Sequence, residues 1–407
     1  MLRRLSIILT AAILWQFNSS LTLAQSQKPS QADKYPPTPL EIVVPDPLLP
    51  PLINKQQLSP DELQTLEVEL DKLSETAEAK LQAGDKLAAF DIWNRELRLR
   101  RFLGSLAEVQ ALSRVGAIAS NENDRQEIFY ITQRLQAIQK QVVSSKNADL
   151  EVLRSLGEAY QKVRSPQLAL DAYNQVLAIV RQQQDADAEV STLKKIGELH
   201  LSWFDYPKAA ASYQELLGLA AAKSDRLLQV SYLQQLAYIY EEGKDYQQSI
   251  NIQGKLAEIY LSENDQTQLP KLKLAIASNY ESLAKENPTL LQEAFKYYQE
   301  AYSTAWQLEQ YVNASEALQK LITLYRSQGQ IDEALQTGQI LVETETRAVN
   351  FYGIMQAYDQ IGQIYLGRKQ YPEALTAFQK GLELAQQIKH EEAYFNQQIE
   401  KVSKANL

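Results

Sequence analysis

The sequence contains no cysteine and only two histidines. Without cysteine the chain forms no disulfide, has no catalytic thiol and offers no thiol for lipid attachment. Acid–base catalysis is restricted too, because histidine is the side chain that titrates nearest to neutral pH. No catalytic constellation stands out, and no glycine-rich phosphate loop follows a strand. An enzyme is therefore the least favoured class of function, and we expect no cofactor.

Long apolar runs are missing except at the N-terminus. There Arg3 and Arg4 precede a largely apolar run of 13 residues, Leu5 to Phe17, and Thr22-Leu23-Ala24 follows as a plausible cleavage site. The run is short for a membrane span, which needs about 20 residues. The pattern predicts a secretory signal peptide over residues 1–24. We expect export to the periplasm or beyond without later membrane insertion, with an uncleaved anchor as the alternative.

Proline is scarce in most of the chain, because nine of its fourteen prolines lie between Pro29 and Pro60. A stretch of this composition is extended and does not build a core. We therefore predict a Pro-rich disordered linker over residues 25–58. It ends at Ser59-Pro60-Asp61-Glu62, which is typical of a capped helix start.

Positive charge is in deficit, since the formal net charge is −9. We expect no cluster of Lys and Arg within the folded part. An acidic chain of this kind is not suited to bind nucleic acid or anionic lipid.

The chain does contain a repeated local pattern, in which Leu or Ile begins a five-residue unit that ends in Tyr or His. It occurs at Leu156-Gly157-x-x-Tyr160, Ile196-Gly197-x-x-His200, Leu236-Ala237-x-x-Tyr240, Ile276-Ala277-x-x-Tyr280, Leu321-Ile322-x-x-Tyr325 and Ile361-Gly362-x-x-Tyr365. Successive copies are 40, 40, 40, 45 and 40 residues apart. Self-similarity at such a period indicates a repeat protein.

A second pattern follows the first, usually nine residues later, and pairs a small residue with a second residue four positions on. Its copies are Ala169-x-x-x-Tyr173, Ala209-x-x-x-Tyr213, Ser249-x-x-x-Gln253, Ala294-x-x-x-Tyr298, Ala334-x-x-x-Gly338 and Ala374-x-x-x-Phe378. The small residues let two helices approach closely, and the aromatic residue packs into the gap. The single longer step reflects an insertion around Pro288, which turn-forming residues place in a loop.

Together the two patterns resemble the tetratricopeptide repeat. The resemblance implies an all-α fold, a right-handed superhelix of about eight helix pairs over residues 59–389. Residues 390–407 are predicted to form a C-terminal capping helix. The family's closing proline is absent here, where residues such as Arg181 stand in its place. The second helices are therefore predicted to run on, as in a long-period subclass of about 40 residues.

In this family the first helices of successive repeats line a concave surface that binds a protein or peptide. The residues that the resemblance places on this groove are Arg154, Glu158, Lys194, Glu198, Gln234, Tyr238, Glu241, Arg326, Asp359 and Gln363. Trp203 and Phe204 fall in a turn, where the following copy has Glu242 and Gly243. They are either an exposed anchor or folded beneath the helix pair.

Three carboxylates, Asp185, Asp187 and Glu189, begin the ligand pattern of a calcium loop but lack its glycine, and are read first as solvated loop residues. His200 occupies the position of the repeat tyrosines and is predicted to pack, and His390 is predicted to lie in a polar loop. The main hypothesis is a non-enzymatic interaction scaffold. It resembles exported repeat proteins that help to build membrane or photosynthetic complexes. An acidic chaperone that handles divalent metals is the alternative, ahead of an enzyme.

Overall fold

A computed structural model of the protein describes residues 35–49, 58–145 and 148–405. These residues form seventeen α-helices and no strand. The helices are α1 (Pro60–Gln82), α2 (Lys86–Arg100), α3 (Ser105–Asn121), α4 (Arg125–Ser144), α5 (Leu150–Lys162), α6 (Pro166–Gln182), α7 (Ala186–Ser202), α8 (Tyr206–Ala222), α9 (Arg226–Glu242), α10 (Tyr246–Ser262), α11 (Leu269–Ala284), α12 (Leu291–Gln307), α13 (Tyr311–Ser327), α14 (Ile331–Arg347), α15 (Phe351–Gly367), α16 (Tyr371–Ile388) and α17 (Glu392–Ala405). The prediction of an all-α repeat fold with eight helix pairs and a C-terminal helix is confirmed.

The chain divides into two compact units. Unit 1 comprises Met1–Gln141 with Lys162–Arg164, and unit 2 comprises Val142–Gln161 with Ser165–Leu407. Helices α1 to α3 lie wholly in unit 1, and α6 to α17 lie wholly in unit 2. None of the helices that the structure describes has the length and apolarity that a membrane crossing requires.

Tight turns set the helix boundaries in unit 2. A typical turn places one residue in the left-handed region, such as Gln184 at a φ of 58° or Lys244 at 60°. The next residue caps the following helix, as when the Asp185 carboxylate accepts a hydrogen bond from the Ala188 amide. Such caps satisfy backbone donors that have no partner within the helix. The turn chemistry therefore fixes where each helix of a pair begins.

The small residues of the repeat are required by close helix contacts. A methyl group on Gly157 would lie 2.7 Å from Cζ of Tyr173, and one on Gly362 would lie 2.6 Å from Cε1 of Phe378. Both aromatic rings are buried. The predicted fit of an aromatic ring against a glycine of the preceding helix is thus observed.

One copy replaces this apolar contact with a polar one. Ser249 and Gln253 stand where most other copies have Ala and an aromatic residue, and both are buried. The Asn279 side chain, from α11, donates to Ser249 Oγ at 3.0 Å and to Gln253 Oε1 at 3.1 Å. Ser249 in turn donates to the Ala237 carbonyl. Because these polar groups form hydrogen bonds with one another, the helices of this copy of the repeat still pack together.

Two predicted irregularities also have structural counterparts. Arg181 lies in the last turn of α6, which continues where the family pattern has its closing proline. The insertion around Pro288 forms a short 3₁₀ turn, Pro288–Leu290, capped by the Asn287 side chain. At the C-terminus, α17 buries Phe395 and Val402 against the preceding pair.

The linker prediction is wrong for residues 35–49. These residues include a 3₁₀ turn, Pro39–Glu41, and the side chain of Leu40 is only 1% exposed. The prolines do keep the segment extended, but an extended chain offers its carbonyl groups to neighbouring side chains. Here Arg98 of α2 and Arg101, directly after α2, bind them. The predicted signal peptide, residues 1–24, lies outside the described residues. Residues 25–34 and 50–57 of the predicted linker lie outside them too.

Candidate functional site

The first helices of unit 2 expose most of the side chains that the repeat pattern assigned to a groove. Arg154 is half-buried, and the others on α5, α7, α9 and α13 are exposed. These exposed residues are Glu158, Lys194, Glu198, Gln234, Tyr238, Glu241 and Arg326. The face carries both signs of charge and one aromatic ring.

Most of the charged side chains on this face form no close ion pair with a described residue. Arg154 and Lys194 form no ion pair with any described residue, and Glu198 lies 3.9 Å from Lys195, at the limit of an ion pair. The Gln234 amide donates to the hydroxyl of Tyr260 at 3.0 Å. Exposed charges without partners remain available to a binding partner, because they have no internal interaction to break.

Asp359 and Gln363 do not belong to an open groove, and that part of the prediction is wrong. The Tyr394 hydroxyl donates to Asp359 at 2.8 Å, and the Gln363 amide donates to Tyr394 at 3.0 Å and to Gln398 at 3.3 Å. Tyr394 and Gln398 belong to α17. The capping helix therefore covers α15 at the position where another first helix would lie.

Trp203 and Phe204 form the turn between α7 and α8, and the structure shows them exposed. Trp203 is 36% exposed and Phe204 is 74% exposed. Phe204 has a φ of 59°, close to the 60° of Lys244 in the next copy. The pair therefore corresponds to Gly243 and Lys244, one residue later than the sequence comparison with Glu242 and Gly243 had placed it.

Two tyrosines extend this exposed turn into an aromatic edge. The rings of Phe204 and Tyr206 meet edge to face, with centroids 6.2 Å apart. Tyr206 packs at the end of α9, where a methyl group on Gly243 would lie 2.9 Å from its Cβ. Partial desolvation, with Glu242 and Tyr238 nearby, raises the pKa of Tyr206. We call Trp203, Phe204, Tyr206 and Tyr238 the aromatic edge.

His200 lies in the last turn of α7 and packs in the place of a repeat tyrosine. It is buried, and its Nδ1 lies 3.8 Å from an Asp205 carboxylate oxygen without forming a hydrogen bond. Burial lowers the pKa of His200, while Asp205 opposes the shift. A neutral, buried imidazole of this kind contributes to packing. His390 is exposed and lies 3.4 Å from the carboxylate of Glu391.

The three carboxylates considered for a metal are held apart by different partners. Asp185 caps α7, Asp187 pairs with Lys223 at 2.8 Å, and Glu189 accepts from Arg181 at 2.7 Å. No group of three or more suitable ligands that could hold a metal ion occurs among the described residues. The structure does not assemble the predicted cluster into a metal site.

The expectation that the folded part lacks a cluster of cations is wrong. The C-terminal part of α2 contains Arg95, Arg98 and Arg100, and Arg101 follows the helix directly. Buried carboxylates neutralise part of this charge: Glu96 is fully buried between Arg100 and Arg114. The run Arg95-Glu96-Leu97-Arg98-Leu99-Arg100-Arg101 was visible in the sequence. Its surroundings were not, because apart from Glu96 the carboxylates that pair with these arginines, such as Asp46 and Glu108, come from other segments.

A second strained and exposed turn was also missed. Val349 has a φ of 54° and is 71% exposed, which is unusual for a β-branched residue. Phe351 and Tyr352, which follow it, are about half exposed. The valine itself gave no sign of this conformation, since valine is not a residue that favours the left-handed region.

Comparison with known proteins supports the repeat interpretation. The tetratricopeptide repeat family model matches residues 356–388, which run from α15 into α16. No curated protein matches the sequence.

Several solved structures are similar to the chain at low identity. One is BtubC (BKLC) from P. vanneervenii, with 15% identity and a TM-score of 0.37, covering 55% of this chain and 92% of that one. Another is MamA, with 20% identity and a TM-score of 0.34, covering 50% and 94%. The apo form of RapI has 10% identity and a TM-score of 0.37, covering 82% and 97%. Likenesses at this level assign no activity.

Proposed function

We propose that the protein is a non-enzymatic scaffold of the bacterial envelope that binds a protein or peptide partner on unit 2. The binding surface consists of the exposed first-helix residues on α5, α7 and α9 together with the aromatic edge. The repeat resemblance supports this use of the first helices. The likeness in composition to exported repeat proteins that help to build membrane or photosynthetic complexes favours a component of such a complex as the partner.

The observation that supports the proposal most is that Phe204 is exposed and adopts a left-handed backbone conformation. A bulky residue in the left-handed region costs about 1 kcal/mol or more relative to glycine, and the exposed ring gains little from burial. The residue is therefore unfavourable for folding on both counts. Trp203 beside it is of the type most enriched where binding energy concentrates. A contact with a partner would explain why both residues stand in this turn.

The charge pattern around the edge limits the kind of partner. Arg154 and Lys194 offer cations, and Glu158 and Glu198 offer anions one turn away on the same helices. A surface of mixed sign suits a polar peptide or helix that carries both charges. The net charge of −9 argues against nucleic acid.

Replacing Phe204 with glycine is expected to stabilise unit 2 while weakening partner binding. Glycine relieves the left-handed strain, so we expect a gain of about 1 kcal/mol in the free energy of unfolding. Urea unfolding measures this gain, and affinity capture from the envelope fraction, with the mature protein as bait, measures binding. A variant that is more stable yet captures less partner has not lost binding through misfolding.

Val349→Gly is the matched control, because it relieves the same strain at an exposed turn far along the chain from the aromatic edge. We expect it to gain stability and to capture the partner as well as the parent does. Equal capture by Phe204→Gly and Val349→Gly would contradict the proposal.

Export is the second part of the proposal and has its own test. Loss of residues 1–24 would leave a chain that begins at Gln25, since cleavage is expected after Ala24. Mass spectrometry of the N-terminal peptide, recovered from the periplasm of a producing cell, measures this directly. An intact leader on cytoplasmic protein would contradict export.

A further inference from the structure

The segment from Pro36 to Asp46, here called the strap, lies against second helices of unit 1. Leu40 is its apolar anchor and is 1% exposed. Before it, Tyr35 packs its ring against Phe129 of α4 with centroids 5.2 Å apart. Between Leu40 and Asp46 the strap stands away from the helices, since Val43 is 97% exposed. The strap is thus held at its two ends and arches between them.

Side chains of unit 1 bind the backbone of the strap. The Tyr130 hydroxyl donates to the Pro36 carbonyl at 2.9 Å, and Arg98 Nη1 donates to the Pro39 carbonyl at 2.8 Å. Arg101 donates to the carbonyl of the anchor residue, Leu40. An extended chain with free carbonyls is the form in which a peptide ligand presents itself to a helical surface.

The two carboxylates of the strap meet arginines. Asp46 accepts two hydrogen bonds from Arg95, at 2.8 and 2.9 Å, in the bidentate geometry that makes such pairs strong. These bonds lower the pKa of Asp46. At the other end of the arch, Glu41 lies 3.2 Å from Arg101 and 3.5 Å from Arg134.

Two of the arginines are also held by a buried carboxylate of α3. Glu108 is buried, accepts from Arg101 at 3.1 Å, and binds Arg134 with both oxygens, at 2.6 and 3.0 Å. Arg98 pairs with no carboxylate among the described residues, and burial lowers its pKa, with Arg95 and Arg101 adding to the shift. Two of the arginines that contact the strap are therefore also held by a carboxylate outside it.

We infer that α2, α4 and the residues after α2 form a binding site for an extended acidic peptide, which the strap occupies as a tethered ligand. The ligand has a leucine, an acidic residue directly after it and a second acidic residue five positions further on. The site uses second helices of unit 1 and shares no residue with the first-helix surface of unit 2. An integral part of the core would be expected to bury Ile42, Val43 and Val44, which are instead 51%, 97% and 52% exposed.

The experiment uses the full chain carrying Leu40→Asp, with Val43→Asp as the matched control. Both changes place the same charge in the strap, but only the first removes a buried anchor. Hydrogen exchange of the Glu41 amide, which donates to the Thr38 carbonyl in the bound strap, reports release of the strap. Fluorescence anisotropy then measures binding of a labelled peptide with the sequence of residues 35–49, and of the same peptide with its own Leu40→Asp change.

We expect Leu40→Asp to release the strap and to bind the parent peptide roughly tenfold or more tightly than the unchanged protein does, because a bound tether lowers the apparent affinity. Val43→Asp should bind as weakly as the unchanged protein, and the altered peptide should not bind. Release without peptide binding, or a strap that stays protected in Leu40→Asp, would overturn the inference. If Leu40→Asp fails to fold, Asp46→Asn replaces it, because this change weakens the contact of the strap with Arg95. The variant is then tested for release of the strap and for peptide binding in the same way.

Discussion

Gly362→Ala is expected to lower the free energy of unfolding of unit 2 by about 1–3 kcal/mol, the usual cost of overpacking a core. The added methyl group would lie 2.6 Å from Cε1 of Phe378, and that ring is fully buried. Neither helix yields easily, because α15 and α16 are joined by a tight turn. Hydrogen exchange of the amides of α15 and α16 measures the loss locally, which suits a protein whose repeats unfold in part independently.

Gly218→Ala is the matched control, since Gly218 lies inside α8 with no atom within 4 Å of the added methyl group. Alanine is the better helix former there, so the change should stabilise by about 0.5–1 kcal/mol. The same substitution is thus expected to act in opposite directions at two helical glycines. If both variants gained stability, the close approach of α15 to Phe378 would not contribute as we describe.

Glu127→Gln is expected to abolish a fall in the stability of unit 1 that the parent shows between about pH 4.5 and 7. Glu127 is buried on α4, and the Asn94 amide donates to its Oε2 at 3.2 Å. Burial raises the pKa of Glu127 from 4.5 to about 7, with Asp124 and Asp91 adding to the shift. The other carboxyl oxygen and Asn94 Oδ1 have no hydrogen-bond partner within the described residues.

The sign follows from proton binding. Because the folded pKa is raised, the folded state binds more protons than the unfolded state between pH 4.5 and 7. The contribution of Glu127 is fully present below pH 4.5 and is lost as the pH rises through 7. The total loss is about 3 kcal/mol, at 1.36 kcal/mol per pKa unit. Glutamine has nearly the shape of glutamate but does not titrate. The urea unfolding midpoint of the variant should therefore change less with pH than that of the parent, and it should be higher than the parent's at pH 8.

Glu96→Gln provides the contrast, because this buried carboxylate lies between Arg100 and Arg114, at 3.0 and 2.7 Å. Removing its charge leaves Arg114 without a counter-ion among the described residues and Arg100 with Asp71 alone, so the variant should be less stable than the parent at pH 8. Parallel pH profiles for the parent and Glu127→Gln would show that Glu127 is not held as a neutral acid.

Local sequence patterns predicted much of the fold because each repeat is encoded within about 40 residues. The spacing of Gly157 and Tyr173 is sufficient to predict that they pack together, since both lie in one helix pair. Helix starts were also readable, because capping residues such as Ser59 and Asp185 act on amides two or three residues away. Contacts between residues that lie this close along the chain can be predicted from the sequence.

What the sequence could not predict depends on partners far along the chain. The strap reaches Arg95 from a distance of 49 residues and Tyr130 from 94 residues, so its prolines indicated only an extended chain. The repeat pattern placed Asp359 in the groove, but it carried no sign that Tyr394 would cover it. The exposure of Phe204 likewise depended on a turn geometry that bulky residues rarely adopt.

Photo-crosslinking from position 204 tests the central claim most directly. A benzoylphenylalanine replaces Phe204 in one variant and Leu227 in the other, since Leu227 is 85% exposed and lies at the opposite end of α9 from Tyr238. After irradiation of cells that export the protein, we expect one discrete crosslinked partner from position 204 and none from position 227. No crosslink from position 204, or the same products from both positions, would contradict a partner site at the aromatic edge.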